Sequence, residues 1–315
     1  MIVEMPDSTT SEISRKIDQL HEERGESAQS RVLTLLISTT DAELENALET
    51  ANAASREHPC RIIAIVPSSS RTPIVDDDGT CHPLDAQVRF GSDAGAGECI
   101  VLHPHGGLND HLDTLVMPLL VPDVPIVAWW PTNPPFNPSA DALGRMATAR
   151  VTDALRSDSP AATFAELREN RTPEDTDMSW TRLTVWRALV ASLLDRPPYT
   201  PVLKATVRSG PAYLPAYLLA AWLALQLKVP VTLETDPDGE VVTGVSLWRE
   251  DGEMSLDRPH EDKCIISLPN QKPQTLSVPR RTLEDCLSEE LRRLDPDEIY
   301  AEVVDKGWDL VQRPA

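Results

Sequence analysis

This sequence is short of several features that would assign it quickly. Its five cysteines, Cys60, Cys81, Cys99, Cys264 and Cys286, are odd in number and form no CxxC pair. That excludes a disulfide framework and a zinc ribbon and predicts reduced thiols, with Cys60 and Cys81 left open to a redox role. Basic residues are also scarce: 29 Lys and Arg against 50 Asp and Glu give a formal net charge of −21. Nucleic acid and anionic membrane surfaces would both repel such a chain. Long apolar runs are missing too. Residues 115–130 are interrupted by three prolines and Asp123. The run at 213–227 falls short of the ~20 residues a membrane-spanning helix needs. Residues 1–18 lack the basic start and apolar core of a signal peptide, so a cytoplasmic location is expected. No internal repeat or low-complexity tract is evident.

Aromatics number 14 in 315 residues, and two of them are adjacent. Residues 126–130 read as a buried strand ended by Pro131, which has no N–H to offer a ladder. Side chains alternate faces along a strand, so Trp129 and Trp130 must point to opposite sides. Each indole can be covered within its own domain, or by a ligand or another protein. The following stretch, 131–138, holds four prolines and forms a stiff loop beside them, the kind of surface that makes contacts.

Taken in order, Ser8 to Ser11 cap a helix with Ile13, Ile17 and Leu20 on one face. A strand at 31–37, a helix from Asp41 to about 54 and a strand at 60–66 make a βαβ unit, and such crossovers give parallel pairs. A loop or hairpin at 68–83 precedes strands at 84–90 and 98–102. A helix at 110–120 then leads into the Trp-Trp strand. Four or five strands with helices between them define an α/β layer. Beyond residue 133 the chain becomes rich in Pro, Ser and Asp, with short helices near 140–148 and 160–170. We draw the domain boundary here, giving an N-terminal α/β domain with a largely parallel sheet (1–160) and a C-terminal α+β domain (161–315). In the second domain, helices begin near Asp177 and at 213. Strands at 231–235, 241–249, 254–257, 264–268 and 275–278 suggest an antiparallel meander, and helices at 283–294 and 297–304 complete it.

Candidate chemistry is sparse. The stretch Gly91-Ser-Asp-Ala-Gly-Ala-Gly97 resembles a phosphate loop, but its spacing is neither GxGxxG nor GxxxxGK[ST]. Asp93 would repel phosphate, and a tight connection at positive φ explains the glycines equally well. Residues 55–61 place His58, Cys60, Arg56 and Arg61 close in sequence. No third group completes a nucleophilic set, and Arg61 is read either as a structural partner or as a contact for a carboxylate. His103, His105 and His111 suggest metal ligands without completing a zinc pattern. Trp180, Arg182, Trp186 and Arg187 form a helical cluster of residue types that dominate interface energetics, although Leu183 and Val190 beside them suit a core.

Several phrases together resemble a known family: MIVEMPDSTTS at 1–11, RVLTL at 31–35, ANAASREHPCR at 51–61, GSDAGAGE at 91–98, PLLVPDVP at 118–125, WWP at 129–131 and DTDMSWTRL at 175–183. They are similar to the glucose-6-phosphate dehydrogenase assembly proteins (OpcA) in their actinobacterial form, through both halves and in the right order. The resemblance implies two domains and a non-catalytic subunit or allosteric activator. This effector associates with glucose-6-phosphate dehydrogenase, which catalyses NADP-dependent entry into the oxidative pentose phosphate pathway. It implies a hetero-oligomer and carries over no catalytic, cofactor-binding or metal-binding residue. In cyanobacterial relatives the activator is linked to thioredoxin-type redox control, and no paired cysteines match that here. Docking is expected through Trp129, Trp130 and Pro131 with the 131–138 loop, and through Arg61, Trp180, Arg182 and Arg187. The alternative is a sugar-phosphate or nucleotide-binding α/β sensor or enzyme using the strand ends and the 91–97 loop. A general scaffold with several partners is a third reading.

Overall fold

The computed structural model describes residues 1–24, 31–68, 74–75, 81–91, 97–260 and 262–311. The chain opens with β1 (Ile2–Met5) and α1 (Thr10–Arg24). The predicted cap is present: Thr9 N–H donates to Glu12 at 2.9 Å and Glu12 N–H to Thr9 Oγ1 at 3.3 Å. Then come β2 (Leu33–Ser38), α2 (Leu44–Ala54) and β3 (Cys60–Ile65), with β2 and β3 parallel as a βαβ unit requires. β4 (Ile74–Val75) and β5 (Cys81–His82) pair antiparallel within the stretch read as a loop or hairpin, before β6 (Leu84–Phe90) and β7 (Glu98–Pro104).

The helix expected over 110–120 is split into a 3₁₀ turn (Gly106–Asp110), α3 (Leu112–Val116) and a second 3₁₀ turn (Met117–Leu119). Pro118 cannot donate the bond that an unbroken helix needs there. After β8 (Ile126–Trp130), the helix expected at 140–148 is replaced by two 3₁₀ turns. A strand, β9 (Ala149–Thr152), follows them. Next are α4 (Pro160–Asn170) and β10 (Asp175–Asp177).

These strands form one eight-stranded sheet in the order β1-β6-β7-β3-β2-β8-β9-β10. β1 and β6 add an antiparallel edge, and the run from β7 to β10 is parallel throughout. Both faces are covered. One core gathers Leu35, Ile37, Ile62 and Trp129 with Leu44, Leu48 and Ala51 of α2. The other gathers Leu36, Ile63, Ile100 and Trp130 with Ile13, Ile17 and Leu20 of α1 and Val116 of α3.

The remaining chain runs α5 (Met178–Thr181), α6 (Thr184–Leu194), β11 (Val202–Ser209), α7 (Leu214–Leu227) and β12 (Val231–Thr235). It continues through β13 (Val242–Arg249), β14 (Gly252–His260), β15 (Lys263–Ser267), β16 (Gln274–Ser277), α8 (Leu283–Arg292) and α9 (Glu298–Glu302). β13 to β16 are the predicted meander. β11, which the sequence did not reveal, pairs parallel with β12 across α7, so the second sheet is mixed. α7 is apolar almost all round and lies in the second core with Trp180, Trp186 and Phe164. α8 returns to the first sheet, where Cys286, Leu287 and Leu291 join the α2 side of its core.

Candidate functional site

The six parallel strands, taken in chain order β2, β3, β7, β8, β9 and β10, lie in space as 3-2-1-4-5-6. In a doubly wound sheet of this order, ligands sit beyond the carboxyl ends of the strands where the winding reverses. That point falls between β2 and β8, so the Trp-Trp-Pro segment ends at the position a cofactor would occupy. The connection that would cradle a pyrophosphate, between β2 and α2, contains no glycine and carries Asp41 and Glu43, with Glu45 in the first turn of the helix. Asp41 and Glu43 there oppose a phosphate rather than attract it, while Glu45 is turned to Arg89 of β6, from which it accepts at 2.7 and 2.9 Å. Glu43 also accepts a hydrogen bond at 2.7 Å from Arg156, which follows β9, and the pair bridges the crevice.

Trp129 and Trp130 do point to opposite faces, and both are inside. Trp129 is 0% exposed in one core and Trp130 3% exposed in the other. Pro131 is buried as well. The expectation that these side chains present a contact surface is corrected on that ground, because α2 and α8 cover one indole and α1 and α3 the other. The exposed aromatic of this segment is Phe136, at 64%, a residue the sequence reading passed over. Its loop is held by Asn133, which accepts from Asp158 N–H at 2.9 Å, and by Asn137, which accepts from Ala140 N–H at 3.1 Å.

Arg61 is also turned inward. It donates to Glu98 at 2.5 Å and to the Leu119 carbonyl at 2.7 Å, while Arg31 pairs with the same fully buried carboxylate. Burial, with the Arg31 charge beside it, lowers the Arg61 guanidinium to about 10. Arg61 is thus the structural partner of Glu98. Burial pushes the thiols of Cys60 and Cys99 up to about 12. These are inert thiols rather than nucleophiles or redox groups. The side chain of Cys81 and residues 92–96 of the glycine stretch lie outside the described residues. At the stretch's ends, Gly91 has φ 68°, and a Cβ on Gly97 would meet the Cys60 carbonyl at 2.4 Å. His103 lies 3.6 Å from Asp41 and His105 3.3 Å from Asp85. No group of three or more potential metal ligands occurs among the described residues.

The 175–187 segment is where the two halves are joined. Asp177 caps α5 through Ser179 N–H at 2.9 Å and accepts from Thr152 and from Ala154 N–H, both at 2.8 Å. Arg182 donates both arms of its fork to buried Asp153, at 2.8 and 2.7 Å. Burial alone would lower its pKa, yet the Asp153 charge and hydrogen bonds hold it above its usual range. Trp180 donates to Asp297 at 2.9 Å, and the Arg187 guanidinium lies 3.7 Å over its ring. Thr181 bonds Glu290, and Thr184 bonds Glu289 at 2.8 Å, both on α8. The predicted pairing of 180 with 187 is present. Trp186 and Arg182 line one cavity together. The acids that hold this cluster were missed, because they arrive from 29 to 117 residues away. Arg61 and the Trp-Trp strand do not join it.

The fold thus defines a two-domain chain: a doubly wound α/β layer with Asp41 and Glu43 beside its reversal point, fused to an α+β unit. Residues 51–169 match a family model described as the glucose-6-phosphate dehydrogenase subunit N-terminal domain, and residues 173–304 match its C-terminal domain. The chain belongs to this family. A "Putative OxPP cycle protein OpcA" from Synechococcus elongatus is 25% identical over 166 residues, which are 51% of this chain and 36% of that protein. The match therefore spans little more than a third of that relative's length. Among solved structures, an oxidoreductase from Sinorhizobium meliloti is similar at 8% identity with a TM-score of 0.46, covering 88% of each chain. A levoglucosan dehydrogenase complexed with NADH and L-sorbose has a TM-score of 0.44 at 8% identity, over 87% of this chain and 90% of that one. These likenesses are too distant to speak to activity.

Proposed function

We propose that this chain is a non-catalytic assembly factor and activator that binds glucose-6-phosphate dehydrogenase in a hetero-oligomer and favours its active state. A cytoplasmic location is part of that reading. The observation that carries it is the match of both halves of the chain, in order, to the two domains described for a glucose-6-phosphate dehydrogenase subunit. The site geometry supports it. The reversal point of the sheet, where a dinucleotide would sit, carries Asp41 and Glu43, with Glu43 ion-paired to Arg156, which favours contact over cofactor chemistry. Binding preferentially to the assembled, active dehydrogenase shifts its population toward that state.

The contact we assign to the partner is the 131–138 loop with Phe136 at its tip. Trp129, Trp130 and Pro131 act as the buried base that aims it, and the Trp180, Arg182 and Arg187 cluster fixes the two halves behind it. We take the functional units as 1–160 and 161–315, tied together by β10 and α8. Size exclusion of purified dehydrogenase with and without this chain, with NADP reduction assayed across the fractions, tests the reading. Co-elution with raised activity is expected. Separate elution with unchanged activity overturns it.

A further inference from the structure

Beside α6, at the near end of β13, lies a cavity of about 240 Å³. Arg182, Arg258, Arg280 and Arg281 line it with Tyr213 and Trp186, and no acidic residue is among the lining groups described. Four guanidiniums on one recess stand out in a chain of net charge −21. Three of them are matched by carboxylates: Arg182 by Asp153, Arg281 by Glu289, and Arg280 by Glu240 at 3.6 Å. Arg258 is different. It makes no ion pair among the described residues. Nη2 donates to the Val278 carbonyl at 3.0 Å, its buried Nε has no acceptor, and its guanidinium lies 5.1 Å over the Trp186 ring. A partly buried cation without a counter-charge costs free energy that an incoming anion offsets.

A second cavity of about 230 Å³ shares Val241, Arg258 and Arg280 with the first. Its character is the reverse, with Asp238, Glu240, Thr243 and His260 around it. The Thr243 hydroxyl is buried and has no hydrogen-bond partner. Carboxylates and a spare hydroxyl suit a ligand that donates several O–H groups, whereas forked guanidiniums suit phosphate.

We infer that the joined cavities form a binding site for a phosphorylated sugar. Arg258 and Arg280 take the phosphate beside the Tyr213 hydroxyl, and Asp238, Glu240 and Thr243 take the sugar hydroxyls. The site belongs to this chain alone and stands apart from the assembly reading above.

Isothermal titration of the full chain, with no dehydrogenase present, tests it. The probes are a hexose 6-phosphate, a pentose 5-phosphate, inorganic phosphate and the free hexose. Saturable binding of at least one sugar phosphate is expected, with inorganic phosphate tenfold or more weaker and the free hexose silent. Arg258→Gln and Arg280→Gln should each weaken binding tenfold or more. Arg280 is about half exposed, so its variant keeps the test sound if Arg258→Gln disturbs folding. Thr243→Val should weaken the sugar phosphate but leave inorganic phosphate unchanged. No binding at millimolar concentration, or binding unaffected by both arginine substitutions, overturns the inference. Inorganic phosphate binding as tightly as the sugar phosphates overturns it too. So does a wild-type chain that binds no phosphate ester while Arg280→Gln loses the dehydrogenase, which would assign the recess to a partner carboxylate.

Discussion

Trp180 is fixed from two directions, by the hydrogen bond to Asp297 and by the Arg187 guanidinium over its ring. Replacing it with Ala should cost about 3–5 kcal/mol, the range for emptying a buried aromatic site. Trp180→Phe should cost about 1–2 kcal/mol, because Asp297 then keeps its bond to Tyr300 N–H but loses the indole. Urea denaturation of the two variants checks both values. Glu290 gives a prediction of pH dependence. Burial pushes its carboxyl from 4.5 up to about 7, opposed by the Thr181 hydrogen bond and reinforced by Glu289, Asp297 and Asp177. The folded chain then holds a proton that the unfolded chain releases. This group's contribution is full below about 4.5 and is lost as pH rises to about 7. Glu290→Gln should remove a fall in stability on the order of 2 kcal/mol across that window. Urea midpoints at pH 5 and pH 7.5 that fall equally in wild type and variant would contradict it.

Helix α8 is the element through which distant sequence shapes the first sheet. Its N-terminus has a capping box between Thr282 and Asp285, and Leu287 is 0% exposed in the core shared with α2. Leu287→Ala should cost about 2–4 kcal/mol. Hydrogen exchange should show the loss of protection in β2 and β3 rather than in the meander that immediately precedes α8. This long-range cover also explains what could be read from the sequence and what could not. β2, β3 and β8 were legible because strands buried on both faces are nearly continuous apolar runs. The alternation of Trp129 and Trp130 followed from strand geometry, but what covered them could not, since α8 begins more than 150 residues later. β9 and β10 were hidden because Arg150, Asp175 and Asp177 look like loop residues. The fold buries them by pairing Arg150 with Asp175 and by giving Asp177 two hydroxyl or amide donors in addition to its cap. The arginine recess was partly visible in Arg182. Arg258 comes from β14 and Arg280 from the connection between β16 and α8, and no local spacing announces them.

At the scale of the whole molecule, the surface offered to a partner is judged by what remains outside after all three cores have formed. Phe136 passes that test. Phe136→Ala should leave stability within about 0.5 kcal/mol, as for exposed positions generally. It should weaken association with the dehydrogenase tenfold or more, read by sedimentation velocity or titration. Unchanged affinity would move the contact elsewhere on the surface. The return of α8 to the first sheet has one further consequence, which concerns synthesis. A chain emerging from the ribosome presents the α2 face of the first sheet long before residue 291 exists to cover it. The N-terminal layer is therefore expected to settle fully only once α8 is present, unlike early domains that fold alone. Nascent chains are expected to expose that face until the α8 residues Cys286, Leu287 and Leu291 have been made. A stalled chain released at residue 280 should be captured by chaperones, whereas one extended through α8 to residue 311 should not.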